Sequence, residues 1–216
     1  MIWNNVLKKL LLSSLLLLSF ISLTYADTRE PLLKGIKDIV KLHYSHGRQY
    51  EGQIEECLIG GKKIKCFKGI GVYTFQTGYR YEGEFNENKP NGQGVFTSPD
   101  GQRYQGGFKD GKLNGQGVMR YQDGRRYEGE YKDNNRDGYG VMTYPDGRRY
   151  EGEYKDNNRD GYGIMTYPDR GMYQEGSRYE GEWKNDKRNG QGVMTYLDDD
   201  RRLEGGFRDN VFIGGQ

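Results

Sequence analysis

The chain has 216 residues, with 33 Lys and Arg against 31 Asp and Glu, 34 Gly, 19 Tyr, 5 Pro and 2 Cys. The first 26 residues hold Lys8 and Lys9 and no acid, so the rest is formally neutral, 31 basic residues against 31 acidic. That balance excludes an overall basic field drawing in nucleic acid or an anionic membrane.

Residues 1–26 read as a secretory signal. Lys8 and Lys9 form a basic start, residues 10–23 an uncharged apolar run, and Thr24-Tyr25-Ala26 ends in a small residue before Asp27. This pattern predicts cleavage and export, to a periplasm, cell envelope or medium. The alternative is an uncleaved membrane anchor, although the run is short against the ~20 residues that spanning takes. No Cys lies near the site, which argues against a lipid-anchored lipoprotein.

Residues 27–49 read as a cap and a half-repeat. Leu32, Leu33, Ile36, Ile39 and Val40 follow Pro31 at helical spacing, predicting a short amphipathic helix that covers the first repeat. Tyr44-Ser45-His46-Gly47-Arg48-Gln49-Tyr50 then matches Tyr121-Gln122-Asp123-Gly124-Arg125-Arg126-Tyr127, the second half of a repeat. His43 and His46 are the only histidines. No Cys, Asp or Glu cluster completes a metal site around them, and no metal or other cofactor is expected.

Residues 50–216 are a repeat array. Units start at Tyr50, Tyr81, Tyr104, Tyr127, Tyr150, Tyr179 and, in part, Leu203. Their spacings are 31, 23, 23, 23, 29 and 24, so the basic period is 23, a solenoid-like repeat. High polarity often means disorder, but evenly spaced tyrosines argue for order, because each ring brings a large apolar payload. Alternation places Tyr127, Gly129 and Tyr131 on one strand face and Glu128 and Glu130 on the other. Gly138, Gly140, Met142 and Tyr144 form the matching face of the next strand. Glycine weakens a strand, but here it leaves a hole that a neighbouring ring can cover. Pro145-Asp146-Gly147 suits a tight turn, and Asn134-Asn135-Arg136-Asp137 a looser polar one. Each unit is thus a β-hairpin, and roughly thirteen strands at ~4.8 Å give a ribbon on the order of 60 Å long.

The motif Tyr-x-Gly-x-aromatic, then Gly-x-Gly-Val/Ile-x-x-Tyr-x-Asp-Gly, resembles the MORN repeat family over residues 50–215, in six phased copies. The repeat residues are Tyr81, Gly83, Gly92 and Gly94; Tyr104, Gly106, Gly115 and Gly117; Tyr127, Gly129, Gly138 and Gly140; Tyr150, Gly152, Gly161 and Gly163; and Tyr179, Gly181, Gly190 and Gly192. The resemblance implies an all-β, elongated single sheet of antiparallel hairpins, and a scaffold or interaction module, in some members associated with lipid. The last unit departs from the pattern: Leu203 stands where Tyr is expected, and its sheet edge is open or paired with a second chain.

Two further departures carry the functional expectation. The first unit has eight extra residues and both cysteines. A hairpin turning about Gly61-Lys62 would set Cys57 opposite Cys66, within disulfide range. A disulfide there accords with export, and closing so small a loop stabilises by roughly 2–3 kcal/mol. The second departure is the lengthened turn at 168–178, where Arg170, Met172 and Tyr173 are candidate contact residues.

No catalytic set is arguable. Both histidines precede the array, and Gly92-Gln93-Gly94 and its equivalents lack the Lys-Ser/Thr and following helix of a phosphate loop. The glutamates Glu128 and Glu130, or Glu151 and Glu153, read as a solvated charge ladder against Arg126 and Arg149. The expected function is a non-catalytic exported scaffold for protein binding or self-association. Alternatives are a peripheral phospholipid-binding module, for which neutrality is unfavourable, and carbohydrate binding along a tyrosine stripe, which requires that stripe to be open. Nucleic acid is not an expected partner.

Overall fold

A computed structural model describes residues 36–168, 176–196 and 201–215. The predicted signal segment and the predicted contact residues Arg170, Met172 and Tyr173 lie outside the described residues. The strands are β1 (Val40–His43), β2 (Gln49–Ile59), β3 (Lys62–Thr74), β4 (Arg80–Asn86), β5 (Lys89–Thr97), β6 (Arg103–Lys109), β7 (Lys112–Arg120) and β8 (Arg126–Lys132). They continue with β9 (Asn135–Thr143), β10 (Arg149–Lys155), β11 (Asn158–Tyr167), β12 (Ser177–Lys184), β13 (Lys187–Tyr196), β14 (Arg202–Arg208) and β15 (Val211–Gly214). All fifteen form one open antiparallel sheet whose spatial order is the sequence order.

The repeat explains how a single layer makes a core. In each hairpin the motif tyrosine faces Met or an aromatic residue, and the motif glycines face each other: Tyr127 opposite Met142, Gly129 opposite Gly140. Gly140 in turn faces Gly152, which faces Gly163. The same pairing joins Gly52 to Gly71 at one end and Gly192 to Gly205 at the other, so a row of glycines crosses the sheet. With no side chains, the row is a furrow. Tyrosine rings lie in it: a Cβ at Gly140 would sit 2.5 Å from Tyr127 Cζ, and one at Gly163 would sit 2.6 Å from Tyr150 Cζ. Tyr104, Tyr127, Tyr150 and Tyr179 are each 0% exposed, although among the described residues nothing is stacked on the sheet as a second layer.

After the furrow each long hairpin has a bulge, between Gly129 and Tyr131 for example. The tyrosine hydroxyl reaches along its own strand and donates to a carbonyl there: Tyr127 to Glu130 at 3.1 Å, Tyr150 to Glu153 at 3.0 Å. A second ring then joins each pair of tyrosines edge to face. Tyr104, Tyr131, Tyr127, Tyr154, Tyr150, Trp183 and Tyr179 follow one another at centroid separations of 5.2–5.4 Å. Phe85 and Phe108 extend this ladder to Tyr50, and Phe207 extends it to Phe212. Such edge-to-face pairs contribute about 0.5–1.5 kcal/mol each beyond the area they bury.

Three expectations are corrected. Residues 36–40 are not helical: Asp38 has φ 61°, and Val40 already belongs to β1. The other part of the predicted helix, 31–35, lies outside the described residues. Pairing explains the outcome, because β2 offers an open edge and Leu42 takes the place opposite Tyr50 that Met119 takes opposite Tyr127. The polar turn is tight rather than loose, with Asp133 at φ 49° and Asn134 at φ 73°, the two left-handed residues of a primed hairpin turn. The first long hairpin turns about Gly60-Gly61, one residue earlier than expected. Both glycines have positive φ, 58° and 77°, which Lys62 would adopt only under strain.

Candidate functional site

The regular face has little left to offer a ligand. Tyr127 and Tyr131 are 0% and 5% exposed, and Tyr144 is half-buried beneath Arg148, whose Cζ lies 4.8 Å from the ring centroid. The stripe that carbohydrate stacking requires is therefore closed. The buried phenols resist ionisation because burial disfavours the phenolate: Tyr179 is pushed up to about 12, and Tyr127, Tyr150 and Tyr154 higher still.

The opposite face carries the glutamates, which divide into two roles. The first of each pair meets the arginine two residues before it, as Arg126 meets Glu128 at 2.6 Å, in partly exposed pairs of little worth. Glu151 is held below the usual carboxylate range: burial works against this, but the Tyr139 hydroxyl, 2.7 Å away, and Arg149 outweigh it. The second glutamate is structural, a role that the sequence reading missed. Glu84, Glu130 and Glu182 accept the backbone N–H groups of Gln93, Tyr139 and Gln191 at 2.7, 3.1 and 3.0 Å, closing the bulge above a left-handed glycine. The signal was present, a Glu three residues after each of Tyr81, Tyr127, Tyr150 and Tyr179. Gly107 breaks it, since a Cβ there would collide with the Asn114 carbonyl oxygen. Over Gly115, the bulge glycine of that unit, lies an open cavity of about 540 Å³, lined by Lys109, Lys112, Asn114, Glu130, Lys132 and Asp137.

The strongest departure from the repeat is the arm at the ends of β2 and β3. These strands run 11 and 13 residues, against 7 and 9 for β8 and β9. Cys57 and Cys66 lie at disulfide distance, with Cα atoms 6.0 Å apart. They are not directly opposed, because Cys57 faces Ile64 and Cys66 faces Glu55. Alternation puts Ile59 and Ile64 on the face that carries both cysteines, and Leu58, Lys63 and Lys65 on the other. Both cysteines are buried, while Leu58, Ile59 and Ile64 are 68%, 41% and 42% exposed. The outer strand β15 adds Val211 and Ile213, also exposed.

Among the described residues there is no cluster of three or more His, Cys, Asp or Glu able to hold a metal ion. Among them, too, no helix is long and apolar enough to cross a membrane, which says nothing of spanning by strands. Among the described residues, the arrangement can present apolar side chains and unpaired strand edges.

No curated protein matches the chain. Among solved structures it is similar to the Drosophila melanogaster SAS-4 (dCPAP) TCP domain, solved with a proline-rich motif of Ana2, at 14% identity over 66% of this chain and 90% of that one, with a TM-score of 0.32. It is also similar to the G-box domain of the microcephaly protein CPAP, at 14% identity over 79% of this chain and all of that one, with a TM-score of 0.29. Likenesses this low carry no argument about fold or function. The MORN repeat pattern itself matches residues 81–103, 104–125, 127–148, 150–172 and 179–201, more than half of the chain. MORN repeats are generally protein or membrane interaction modules. On these five matched repeats, each a hairpin of the glycine furrow, the chain belongs to the MORN-repeat family.

Proposed function

We propose that the chain is a non-catalytic, exported scaffold that holds a partner protein through the cysteine-clamped arm. The observation that carries this reading is the placement of Ile59 and Ile64, solvent-exposed on the same face of an arm outside the aromatic ladder. Core aromatics are consumed by packing; these aliphatic residues are not. The basic start and apolar run of residues 1–26 support export, as does a cysteine pair at disulfide distance.

The test places a photo-crosslinking residue at Lys62, which lies opposite Ile59 on the same face, in the full chain, expressed in its own cell. A discrete crosslinked partner that disappears in Ile59→Ser/Ile64→Ser, with the far-ultraviolet circular dichroism unchanged, supports the arm as the contact. The same crosslink persisting in the double variant overturns it. Lys63 and Lys65, on the same face as Leu58, favour a second reading, docking on an anionic lipid surface. That reading requires the wild type, and not the double variant, to pellet with phosphatidylserine vesicles at low salt.

A further inference from the structure

Five units close the bulge in the same way. A side-chain oxygen three residues after the motif tyrosine lies over the left-handed glycine and accepts the backbone N–H that follows it. Gln53 accepts from Ile70 at 3.0 Å, Glu84 from Gln93 at 2.7 Å, Glu130 from Tyr139 at 3.1 Å, Glu153 from Tyr162 at 3.4 Å and Glu182 from Gln191 at 3.0 Å. A Cβ at the glycine would meet that side chain, 2.7 Å from Glu130 Cδ at Gly138 and 2.6 Å from Glu153 Oε2 at Gly161. The unit at Tyr104 differs. Gly107 stands in the glutamate's place, so no side chain there accepts the Gln116 N–H. A Cβ at Gly115 would have nothing within 4 Å. In the last unit Gly206 also lacks a side chain, but there Ile213 fills the place, its Cγ1 3.0 Å from where a Cβ at Gly206 would lie. At Gly107 the place is open, as the cavity that Gly115 helps to line.

A second substitution acts at the same place. Asp160 pairs with Lys184 of the next hairpin at 3.1 Å. Asn114 holds the equivalent position, so Lys132, the equivalent of Lys184, receives no carboxylate from it. Around the cavity stand Asp110, Asp133 and Asp137 with Lys109, Lys112 and Lys132. The equivalent positions around Glu130 hold Asp133, Asp137, Asp156 and Asp160 with Lys132 and Lys155. Each place also has the glutamate of the next hairpin beside it, Glu130 in one case and Glu153 in the other. The open place is therefore the more basic of the two, yet a carboxylate occupies the other. Lys112 is engaged by Asp133 at 3.0 Å, which leaves Lys109 and Lys132 for an incoming charge.

We propose that the space over Gly115 is a carboxylate-binding site, in which a carboxylate from another molecule takes the place that a glutamate holds in the other units. One oxygen accepts the Gln116 N–H, as Glu84 Oε1 accepts that of Gln93. Lys109 and Lys132 offset the charge. A hydrogen bond to an ionised acceptor is roughly twice as strong as a neutral one. The chain itself sets the chemistry, since four of its own carboxylates make this contact. Asp110 and Asp137 at the wall disfavour a doubly charged phosphate. An acidic side chain, a chain terminus and a small free acid all supply the required group. The site shares no residue with the arm, so it stands or falls separately from the partner contact proposed above.

The experiment is an amide nitrogen–proton correlation titration of the full chain with sodium acetate, sodium chloride keeping the ionic strength constant. The Gln116 amide proton should move downfield and saturate. The amides of Gln93, Tyr139, Tyr162 and Gln191, which already donate to a glutamate, should stay in place. Lys132→Ala should raise the half-saturating acetate concentration about threefold, as expected for an exposed charge contact. Lys155→Ala, the same change beside an occupied place, should leave it unaltered, as should Ile59→Ser/Ile64→Ser. Two more probes identify the source: a peptide blocked at both ends with one glutamate, and a glycine peptide with a free carboxyl terminus. The probe that half-saturates Gln116 at the lowest concentration marks the kind of carboxylate the site takes. No movement at Gln116 with any of the three, equal movement of all the compared amides, an equal response to sodium phosphate, or an unchanged titration of Lys132→Ala overturns the proposal.

Discussion

The first three full units and the next three solve the same packing problem with different chemistry. Opposite the bulge, the first three carry Phe67, Pro90 and Leu113, and the next three Arg136, Arg159 and Arg188. Phe67 stacks directly on Tyr50 at 3.7 Å between centroids, and Leu113 packs against the aromatic core. The arginines instead hold their guanidinium groups over two rings at once: Arg136 over Tyr127 and Tyr154, Arg159 over Tyr150 and Trp183, Arg188 over Tyr179 and Phe207, at 4.3–5.8 Å. Each also donates to the turn of the next unit, as Arg136 does from Nη2 to the Asn157 carbonyl at 2.6 Å. The ring position follows suit, Phe85 and Phe108 in the earlier units against Tyr131, Tyr154 and Trp183 in the later ones. The lesson is that the furrow fixes the fold while the lid over it is free to vary. Half-exposed places accept either an apolar cover or a cation over the ring face.

Alkali should expose this difference most strongly. Phenols in the unfolded chain ionise near the ordinary value of 10, whereas Tyr127, Tyr131, Tyr150 and Tyr154 ionise well above it because burial disfavours the phenolate. Above pH 10 the unfolded state therefore sheds protons first, and stability that is complete below pH 10 is lost as the pH rises. Replacing two of the later tyrosines, Tyr131→Phe/Tyr154→Phe, should move the alkaline unfolding midpoint upward, read by circular dichroism against pH. The acid side should hardly change. An unmoved midpoint would mean that these rings do not govern alkaline unfolding.

Next in size is Tyr127→Ala. It empties the furrow between Gly129 and Gly140 and removes a rung touching both Tyr131 and Tyr154, at an expected cost of about 4 kcal/mol. Tyr127→Phe keeps the rung and loses only the hydrogen bond to Glu130, costing about 1 kcal/mol. Urea titration of the two variants measures the difference. Equal costs would show that the hydroxyl, and not the ring, carries the contribution.

Much of this was legible in the residues. The 23-residue period, the hairpin and the shared face of Tyr127, Gly129 and Tyr131 follow from alternation and turn chemistry. What could not be read lies where two local rules compete. Leu32 to Val40 has helical spacing, yet Val40 and Leu42 also alternate as a strand, and only the edge of β2 decides between them. Gly60-Gly61 and Gly61-Lys62 are both plausible turns by spacing; positive φ at both central positions selects the first. The arginine lids were invisible because Arg136 looked like part of a polar turn, and its two rings come from different units. Glu130 looked like a partner for solvent until the bulge brought the Tyr139 N–H beside it.

The joint between units gives the next comparison. Arg136 N–H donates to Asn157 Oδ1 at 2.9 Å, and Asn157 N–H donates back to the Arg136 carbonyl at 3.0 Å. Phe67 with Asn88 and Leu113 with Asn134 do the same. Pro90 has no N–H, and the residue that meets it is Gly111, which keeps only the return bond at 2.8 Å. Asn157→Ala should therefore cost roughly 1.5 kcal/mol, part for the lost acceptor and part for positive φ, which asparagine tolerates better than alanine. Gly111→Asn should give no stabilisation, since no donor faces it. A clear gain from Gly111→Asn in thermal unfolding would refute the account of the joint.

The smallest expected effect is a gain. Among the described residues, Tyr131 Oη is the buried side-chain oxygen or nitrogen without a hydrogen-bond partner. Its counterparts avoid the problem in different ways: Phe85, Phe108 and Phe207 have no polar atom, and Trp183 donates Nε1–H to the Gly163 carbonyl at 3.2 Å. Burying a hydroxyl without a partner costs its hydration, so Tyr131→Phe should stabilise the array by roughly 1 kcal/mol while leaving both edge-to-face contacts in place. Trp183→Phe, the converse case, should destabilise, because it removes a satisfied donor and part of the surface beneath Arg159. Opposite signs for these two substitutions, measured by urea unfolding at pH 7, would show that the ladder selects for ring shape first and tolerates a polar atom only where a carbonyl is within reach.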